Sequence, residues 1–229
     1  MTTVTQKEVT TFYDQLVFPS KSSHRAYEEL VPLDSPDAKY GDFGCGESLF
    51  IEVFRKNNLD AVFVDISPRV IERIDYGEKI CASLTKIPLP DNSVDHSFCI
   101  GVVHHIPDME KSISELIRVT APAGELFLGV YAHGTAQAKL RHCFDAAPRP
   151  IRPLVRFLSR IAIWIKNNRN GLSFFGEQTR KRVSDLLDTP LVRYQPADRY
   201  EEIIKRANGR VDHIQRISQM NILVITKNQ

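Results

Sequence analysis

A short glycine-rich segment near the start of the chain carries the residue types that a ligand-binding turn needs. It reads Gly41-Asp42-Phe43-Gly44-Cys45-Gly46-Glu47 and lies between an apolar stretch and an amphipathic one. Glycines let the backbone approach a ligand closely and adopt positive φ, and the N-terminus of the following helix offers free N–H donors. We therefore expect a binding turn at the carboxyl end of a strand, where open α/β sheets bind their ligands.

Two common phosphate-binding motifs do not fit this turn. A G-x-G-x-x-G dinucleotide motif would place its third glycine at position 49, which is Leu49. A P-loop would need a Gly-Lys-Ser or Gly-Lys-Thr sequence, which the turn lacks. The spacing therefore points to a different class of ligand.

Four further segments follow the turn at regular intervals. They are VFVDIS ending the second predicted strand with Asp65, Ser83–Asp95 (SLTKIPLPDNSVD), Gly101–Asp108 (GVVHHIPD), and ELIRV at 115–119 followed by PAGELFLGVY at 122–131. With the D-x-G-C-G turn, they resemble the class I S-adenosylmethionine-dependent methyltransferases in order and spacing over residues 38–132. We therefore expect a Rossmann-like α/β fold and methyltransferase activity.

The resemblance implies S-adenosylmethionine as cofactor, S-adenosylhomocysteine as product, and no metal. In the family a carboxylate at the position of Asp65 accepts hydrogen bonds from the ribose, and Ile66 would lie against the adenine. Ser83 stands where many members have an aspartate, so it would hold the adenine amine more weakly. Asp65 also suits the start of the next helix, and the two roles are compatible. The expected cofactor contacts are Asp42, Gly44, Cys45, Gly46, Asp65, Ile66, Ser83, Leu84, Ile100 and Gly101.

Two adjacent histidines, His104 and His105, are the first candidates for catalysis. An imidazole with a pKa near 6.5 suits proton removal from a hydroxyl or an amine at neutral pH. Alternatively, the pair only shapes the pocket, because methyl transfer from a sulfonium depends mainly on in-line positioning. His133 and Tyr13 are further candidates that could reach a substrate, or are packed side chains. We interpret the Cys45 thiol as a packing group and not as a nucleophile.

Hydrophobic periodicity predicts the elements that position these residues. Strands are expected at 38–43, 60–66, 78–83, 94–101 and 124–131, with helices at 47–57 and 68–74 between them. A third helix begins after Asp108, its N-cap, and ends at a turn formed by Pro-Ala-Gly at 122–124. The alternating segments 210–218 and 221–227 predict a terminal antiparallel hairpin. The expected fold is a seven-stranded, mostly parallel Rossmann-like sheet.

Two additions to this core are expected. Residues 1–36, with a helical stretch at 24–30, form an N-terminal flap that precedes a methyltransferase domain at 37–229. A helical insert occupies about 134–190, and its segment 146–176 contains six basic residues and no acidic one. The amphipathic helix at 151–166 is open to four interpretations. It forms a lid over an apolar substrate with Phe157 and Trp164, lies on an anionic membrane surface, binds the phosphates of RNA or an acidic small molecule, or simply covers the sheet.

Composition excludes several classes of protein. The 229 residues are 42% hydrophobic and carry 30 Lys+Arg against 28 Asp+Glu, which fits an ordinary globular chain and not a disordered one. The four cysteines form no C-x-x-C pair, so neither a disulfide scaffold nor a zinc site is expected. We see no signal peptide, and Arg160 interrupts the most apolar run, so we expect no membrane span and a cytoplasmic location.

The leading hypothesis is an S-adenosylmethionine-dependent methyltransferase acting on an O or N atom of a small molecule. Two alternatives remain at this stage. One is a tRNA or RNA methyltransferase, and the other is an inactive cofactor-binding scaffold or activator subunit. The sequence leaves open the substrate, the accepting atom and the oligomeric state.

Overall fold

The computed structural model describes residues 4–15, 25–33, 37–167, 177–217 and 220–228. Seven strands form a single sheet in the order β3-β2-β1-β4-β5-β7-β6. The strands are β1 Lys39–Phe43, β2 Asp60–Asp65, β3 Glu78–Cys81, β4 Val94–Ile100, β5 Thr120–Tyr131, β6 Gly209–Ile217 and β7 Met220–Lys227. Strands β1 to β5 pair in parallel, whereas β7 is antiparallel to both β5 and β6. The mostly parallel sheet with a terminal antiparallel hairpin is therefore confirmed.

Nine α-helices accompany these strands within the described ranges. They are α1 Gln6–Gln15, α2 Arg25–Glu28, α3 Ile51–Lys56, α4 Pro68–Arg73, α5 Met109–Val119, α6 Ala136–Ala146, α7 Arg152–Asn167, α8 Glu177–Asp188 and α9 Ala197–Arg206. Short 3₁₀ turns lie at Val103–His105 and Arg149–Ile151. None of these helices is both long and apolar enough to cross a membrane.

Apolar layers cover both faces of the sheet. The central strands β1, β2 and β4 are nearly continuous buried runs, as parallel strands covered on two faces require. On one face, Phe98 of β4 packs between Phe50 and Phe127, with ring centroids 4.5 and 4.9 Å away. Helix α5 covers the other face with Ile113, Leu116 and other buried residues. This packing holds the carboxyl ends of β1, β2 and β4 in fixed relative positions.

The loop that precedes β4 is tied to α5 by one arginine. Arg118 donates to the carbonyls of Ile87 and Leu89 and to the carboxylates of Asp91 and Glu115. Glu115 in turn accepts the backbone N–H of Ile87 at 2.9 Å. These contacts give a structural reason for the E-x-x-R segment found in the sequence.

One local prediction about α5 is wrong. Asp108 caps the helix as expected, accepting the N–H of Lys111 at 3.2 Å. The helix, however, ends at Val119, and β5 begins directly at Thr120, so the Pro-Ala-Gly segment lies inside the strand and is not a turn. A Cβ on Gly124 would lie 2.1 Å from the carbonyl oxygen of Asp95. This glycine therefore allows β5 to approach β4 beside an irregularity in their pairing.

The insert is a small helical layer with its own core. Phe144 of α6 packs against Val183, Leu186 and Leu187 of α8, with α7 beside both helices. Arginines reinforce this layer: Arg156 of α7 pairs with Asp188 of α8, and Arg152 donates to the carbonyls of Asp145 and Ala147. The apolar side chains Leu154, Phe157, Leu158 and Ile165 of α7 are each more than half exposed.

Candidate active site

The turn after β1 has the backbone geometry that its glycines predicted. Gly44 and Gly46 have φ of 72° and 54°, values that residues with a side chain rarely adopt. The N–H groups of Gly44 and Cys45 both donate to the carbonyl of Val64 at the end of β2, at 2.7 and 3.2 Å. The turn is thereby fixed against the neighbouring strand.

The two glycines have different surroundings. A Cβ on Gly44 would lie 2.5 and 2.6 Å from the two γ carbons of Val102, so this position also requires glycine for space. A Cβ on Gly46 would meet nothing within 4 Å. The turn therefore packs against the chain at Gly44 and faces open space at Gly46.

Asp42 lies beneath this turn and is buried. It accepts a hydrogen bond from the Ser48 hydroxyl at 2.6 Å, and that hydroxyl accepts the N–H of Phe50 at 3.1 Å. Burial raises the pKa of Asp42 to about 7, although the hydrogen bond from Ser48 opposes the shift. Asp42 therefore supports the turn from inside the fold.

Asp65, at the end of β2, joins the turn to the next helix. Its carboxylate accepts the N–H of Gly46 at 3.0 Å through one oxygen and the N–H of Ser67 at 2.9 Å through the other. Burial raises the pKa of Asp65 despite these backbone hydrogen bonds. The N-cap of α4 is Ser67, whose side chain accepts from Val70 and donates to Asp14 of α1. Asp65 is thus next to the cap and is not the cap itself.

A cavity of about 360 Å³ opens above the turn. Eight of the ten positions expected to contact a cofactor line it, namely Gly44, Cys45, Gly46, Asp65, Ile66, Leu84, Ile100 and Gly101. Asp42 and Ser83 are not among the lining residues; Ser83 is hydrogen-bonded to Thr85. The described lining includes the acidic residues Glu47, Asp65 and Asp185 and contains no lysine or arginine. Such a site favours a ligand that carries positive charge.

The four candidate catalytic residues occupy different places. His105 and Tyr13 line the cavity, whereas His104 is buried outside its lining and His133 is exposed. Nδ1 of His105 lies 2.7 Å from the carbonyl of Leu191, so it is the donor nitrogen, and burial lowers the pKa of His105 to about 4. Both ring nitrogens of His104 lack a partner within the described part of the chain, and burial also lowers its pKa. Both rings are therefore neutral at pH 7.

Sequence reasoning missed Asp185 of α8, which lines the same cavity as the glycine turn. Its carboxylate accepts a hydrogen bond from Tyr131 at 3.3 Å and a longer one from Tyr13 at 3.5 Å. Burial raises the pKa of Asp185 to about 6, and burial followed by the charge of Asp185 raises the pKa of both tyrosines. In the sequence, the only indication of this role is that Asp185 lies among Val183, Leu186 and Leu187, which are apolar and buried.

Helix α1 was also missed, although it forms part of the cavity wall. Gln6, Val9 and Tyr13 share one face of the helix and line the cavity. The sequence does carry a start signal: the Thr5 N–H donates to the Glu8 carboxylate at 2.7 Å, and the Glu8 N–H donates to the Thr5 hydroxyl at 3.3 Å. This is a capping box of the T-x-x-E type.

Comparison with known proteins shows that the central part of the chain is similar to methyltransferases. A family model described as a methyltransferase domain matches residues 41–128. A malonyl-[acyl-carrier protein] O-methyltransferase from Serratia marcescens is 28% identical over 116 residues, which cover 48% of this chain and 46% of that protein. A demethylmenaquinone methyltransferase from Paenarthrobacter aurescens is 24% identical over 172 residues, covering 70% and 64%. The chain thus spans about half to two thirds of these relatives.

Solved structures resemble nearly the whole chain. The Haloferax volcanii complex between the Trm112 methyltransferase activator and a methyltransferase gives a TM-score of 0.67 at 13% identity, covering 96% of this chain and 98% of that one. A Burkholderia thailandensis 1,6-didemethyltoxoflavin-N1-methyltransferase, solved with S-adenosylhomocysteine, gives 0.53 at 12% identity, covering 97% and 79%. At such identities the similarity establishes the fold. Within the described ranges, no cluster of three or more His, Cys, Asp or Glu could hold a metal ion.

Proposed function

Through its domain at residues 41–128 the chain belongs to the class I S-adenosylmethionine-dependent methyltransferase family, and we propose that it transfers a methyl group to an O or N atom of a small molecule. The observation that carries this proposal is the position of Asp65. Its carboxylate is held by the N–H groups of Gly46 and Ser67 and lines the same cavity as the glycine turn. A ligand in that cavity would meet a fixed acceptor beside exposed backbone.

The residues present fit S-adenosylmethionine. A carboxylate has about four acceptor sites, and the two backbone bonds to Asp65 leave capacity for two ribose hydroxyls. Ile66 and Leu84 offer an apolar surface for the adenine ring, and Gly46 leaves open space for the methionine end. The acidic lining suits the ammonium and sulfonium charges. In this arrangement Asp42 supports the turn through Ser48, and the Ser83 hydroxyl is hydrogen-bonded to Thr85.

When bound, the cofactor supplies an electrophilic methyl group on a sulfonium. The chain's own residues then position the reactants: the glycine turn and Asp65 hold one end, and α1 covers the site with Val9 and Tyr13. Such orientation provides much of the rate acceleration in a displacement of this kind. His105 donates through Nδ1 and therefore presents Nε2 as an acceptor, but its lowered pKa makes it a weak base. We assign it a positioning role.

Isothermal titration calorimetry with S-adenosylmethionine tests the proposal. Asp65→Ala removes the ribose acceptor, so we expect the affinity to fall at least about tenfold, or about 1.4 kcal/mol. Asp60→Ala is the matched control because Asp60 is exposed at the opposite end of the same strand. Unchanged affinity in Asp65→Ala would show that the cofactor lies elsewhere.

Turnover separates an enzyme from an inactive binding protein. Transfer of labelled methyl groups would be followed with a panel of aromatic hydroxyl compounds, alkyl alcohols, carboxylic acids and amines. We expect S-adenosylhomocysteine to form at the same rate as the methylated acceptor. Tight cofactor binding without turnover across the panel would favour a scaffold or activator role.

A further inference from the structure

One end of the cavity is built from aromatic rings around a single carboxylate. We call Tyr13, His105, Tyr131 and Asp185 the acceptor pocket. The ring of His105 packs edge-on against Tyr13 and Tyr131, with centroids 5.5 and 5.9 Å away. The four residues come from α1, the turn after β4, the end of β5 and α8, and all line the same cavity as the glycine turn.

The carboxylate of Asp185 is only weakly satisfied by the protein. Its hydrogen bonds from Tyr131 and Tyr13, at 3.3 and 3.5 Å, are longer than the usual 2.5–3.0 Å for O–H···O bonds. The nearby Thr189 hydroxyl also lowers the pKa of this carboxylate by hydrogen bonding. A carboxylate can accept about four bonds. Asp185 therefore retains capacity for a stronger donor that enters from the cavity.

The nearest cation does not pair with Asp185. Arg141 of α6 donates instead to Asp145 at 2.8 Å and to the carbonyls of Leu186 and Thr189. Among the described residues, no lysine or arginine forms an ion pair with Asp185. The charge of Arg141 lowers the pKa of Asp185, but burial raises it by more, so this carboxylate lacks the direct ion pair that usually accompanies a buried charge.

We propose that the acceptor pocket binds a substrate through an aromatic hydroxyl that donates to Asp185, and that Asp185 takes the hydroxyl proton as the methyl group is transferred. This inference rests on the proposed function and assigns a substrate class to it. The substrate ring packs among Tyr13, His105 and Tyr131, whose edges and faces provide the contacts that aromatic rings favour.

The proposed step conserves atoms and electrons. A lone pair of the hydroxyl oxygen forms the new C–O bond, and the electron pair of the breaking C–S bond stays on sulfur. The hydroxyl proton moves to an oxygen of Asp185 and later leaves to water. A sulfonium and a carboxylate are thus converted into a neutral thioether and a neutral carboxylic acid, which favours the reaction in a buried site.

The chemistry of Asp185 favours an aromatic hydroxyl over an alkyl one. Burial raises the pKa of Asp185 to about 6, so it is a stronger base than an ordinary carboxylate and is ionised at neutral pH. A phenolic hydroxyl has a pKa of about 10, as in tyrosine, and its acidity rises as the C–O bond forms. A general base whose pKa lies near the working pH is efficient for such a transfer.

The first test measures recognition of the hydroxyl. Protein saturated with S-adenosylhomocysteine is titrated with 4-cresol and with 4-fluorotoluene, which has nearly the same shape but cannot donate. We expect 4-cresol to bind at least about tenfold more tightly to the wild type and to Asp188→Asn. Asp188 is the matched control because it lies on the same helix but pairs with Arg156. We expect Asp185→Leu to reduce the preference below about threefold.

The affinity for S-adenosylhomocysteine distinguishes a failure of the proposed function from a failure of the acceptor assignment. A wild-type protein that does not bind S-adenosylhomocysteine contradicts the proposed function and this inference with it. A protein that binds it but shows no preference for 4-cresol, or keeps the preference in Asp185→Leu, overturns only the acceptor assignment. If Asp185→Leu does not fold, as judged by its affinity for S-adenosylhomocysteine, Asp185→Ala, which also lacks an acceptor, replaces it with the same criteria.

The second test measures transfer. In the acceptor panel, aromatic hydroxyl compounds should be methylated faster than alkyl alcohols or amines. With the fastest of them, Asp185→Asn should lower kcat at least about a hundredfold while the affinity for S-adenosylmethionine stays within about twofold. Faster turnover of amines or alkyl alcohols, or an unaffected kcat in Asp185→Asn, would overturn the proposal.

Discussion

Substitution by alanine at Gly44 and at Gly46 tests the packing of the turn, because the loss of unfolding free energy should differ between the two positions. Both have positive φ, so an alanine at either position costs about 1–2 kcal/mol through its backbone alone. Only at Gly44 does the new Cβ collide with a neighbour, at 2.5 and 2.6 Å from the γ carbons of Val102. Overpacking of this kind adds about 1–3 kcal/mol. The expected losses of unfolding free energy are therefore about 2–5 kcal/mol for Gly44→Ala and about 1–2 kcal/mol for Gly46→Ala.

Urea unfolding of the two variants measures these losses, and a double-mutant cycle assigns their cause. In Gly44→Ala/Val102→Ala the collision is removed, so the two substitutions should show a favourable coupling of about 1–3 kcal/mol. Gly46→Ala should show no coupling with Val102→Ala. Equal losses for the two glycine variants, or no coupling at Gly44, would refute the argument that this turn packs tightly on one side only.

Two further predictions concern titration and thiol reactivity. Burial raises the pKa of Asp42 to about 7, so above pH 4 the folded protein keeps a proton that the unfolded chain has lost. The contribution of Asp42 to the free energy of unfolding therefore falls as the pH rises towards 7. In urea unfolding, Asp42→Asn should gain about 3 kcal/mol relative to wild type between pH 5 and pH 8, and a constant difference would contradict this. A thiol reagent should label the exposed Cys81 and Cys143 faster than the buried Cys45 and Cys99. Burial raises the pKa of Cys45, Cys99 and Cys81, so exposure sets the expected contrast between Cys81 and the two buried thiols. Labelling of Cys45 as fast as that of Cys143 would contradict its packing role.

The sheet and its glycine turn are predictable because their signals are local. The buried runs in β1, β2 and β4 keep their apolar character whichever neighbour they pair with, and their short length between helical patterns identifies them as strands. The requirement for positive φ at Gly44 and Gly46 likewise depends only on the turn itself. Eight of the ten expected cofactor positions therefore line one cavity.

Predictions fail where a distant contact decides the local structure. Pro-Ala-Gly at 122–124 has the composition of a turn, yet it lies in β5 because Gly124 approaches the backbone of Asp95. That contact is not visible in the residues that flank Gly124.

The same distinction between local and distant signals separates the part of the cavity expected to bind the cofactor from the acceptor pocket. The end expected to bind the cofactor uses β1, β2 and β4, whose motifs are contiguous in sequence. The acceptor pocket brings together Tyr13, His105, Tyr131 and Asp185, and Tyr13 and Asp185 are 172 positions apart. No short motif encodes such a set, because the flap and the insert must first pack on the sheet.

This arrangement also changes the interpretation of the basic segment at 146–176. A role of α7 in holding the substrate would require contact with the cavity, but none of the described side chains of α7 is among those lining it. Arg152 and Arg156 instead bind groups of the insert itself. Among the described residues, the insert reaches the cavity through α8, where Asp185 places a negative charge. Local charge, and not the sum over a segment, therefore decides the preference of this cavity, whose described lining is acidic and favours ligands that carry positive charge.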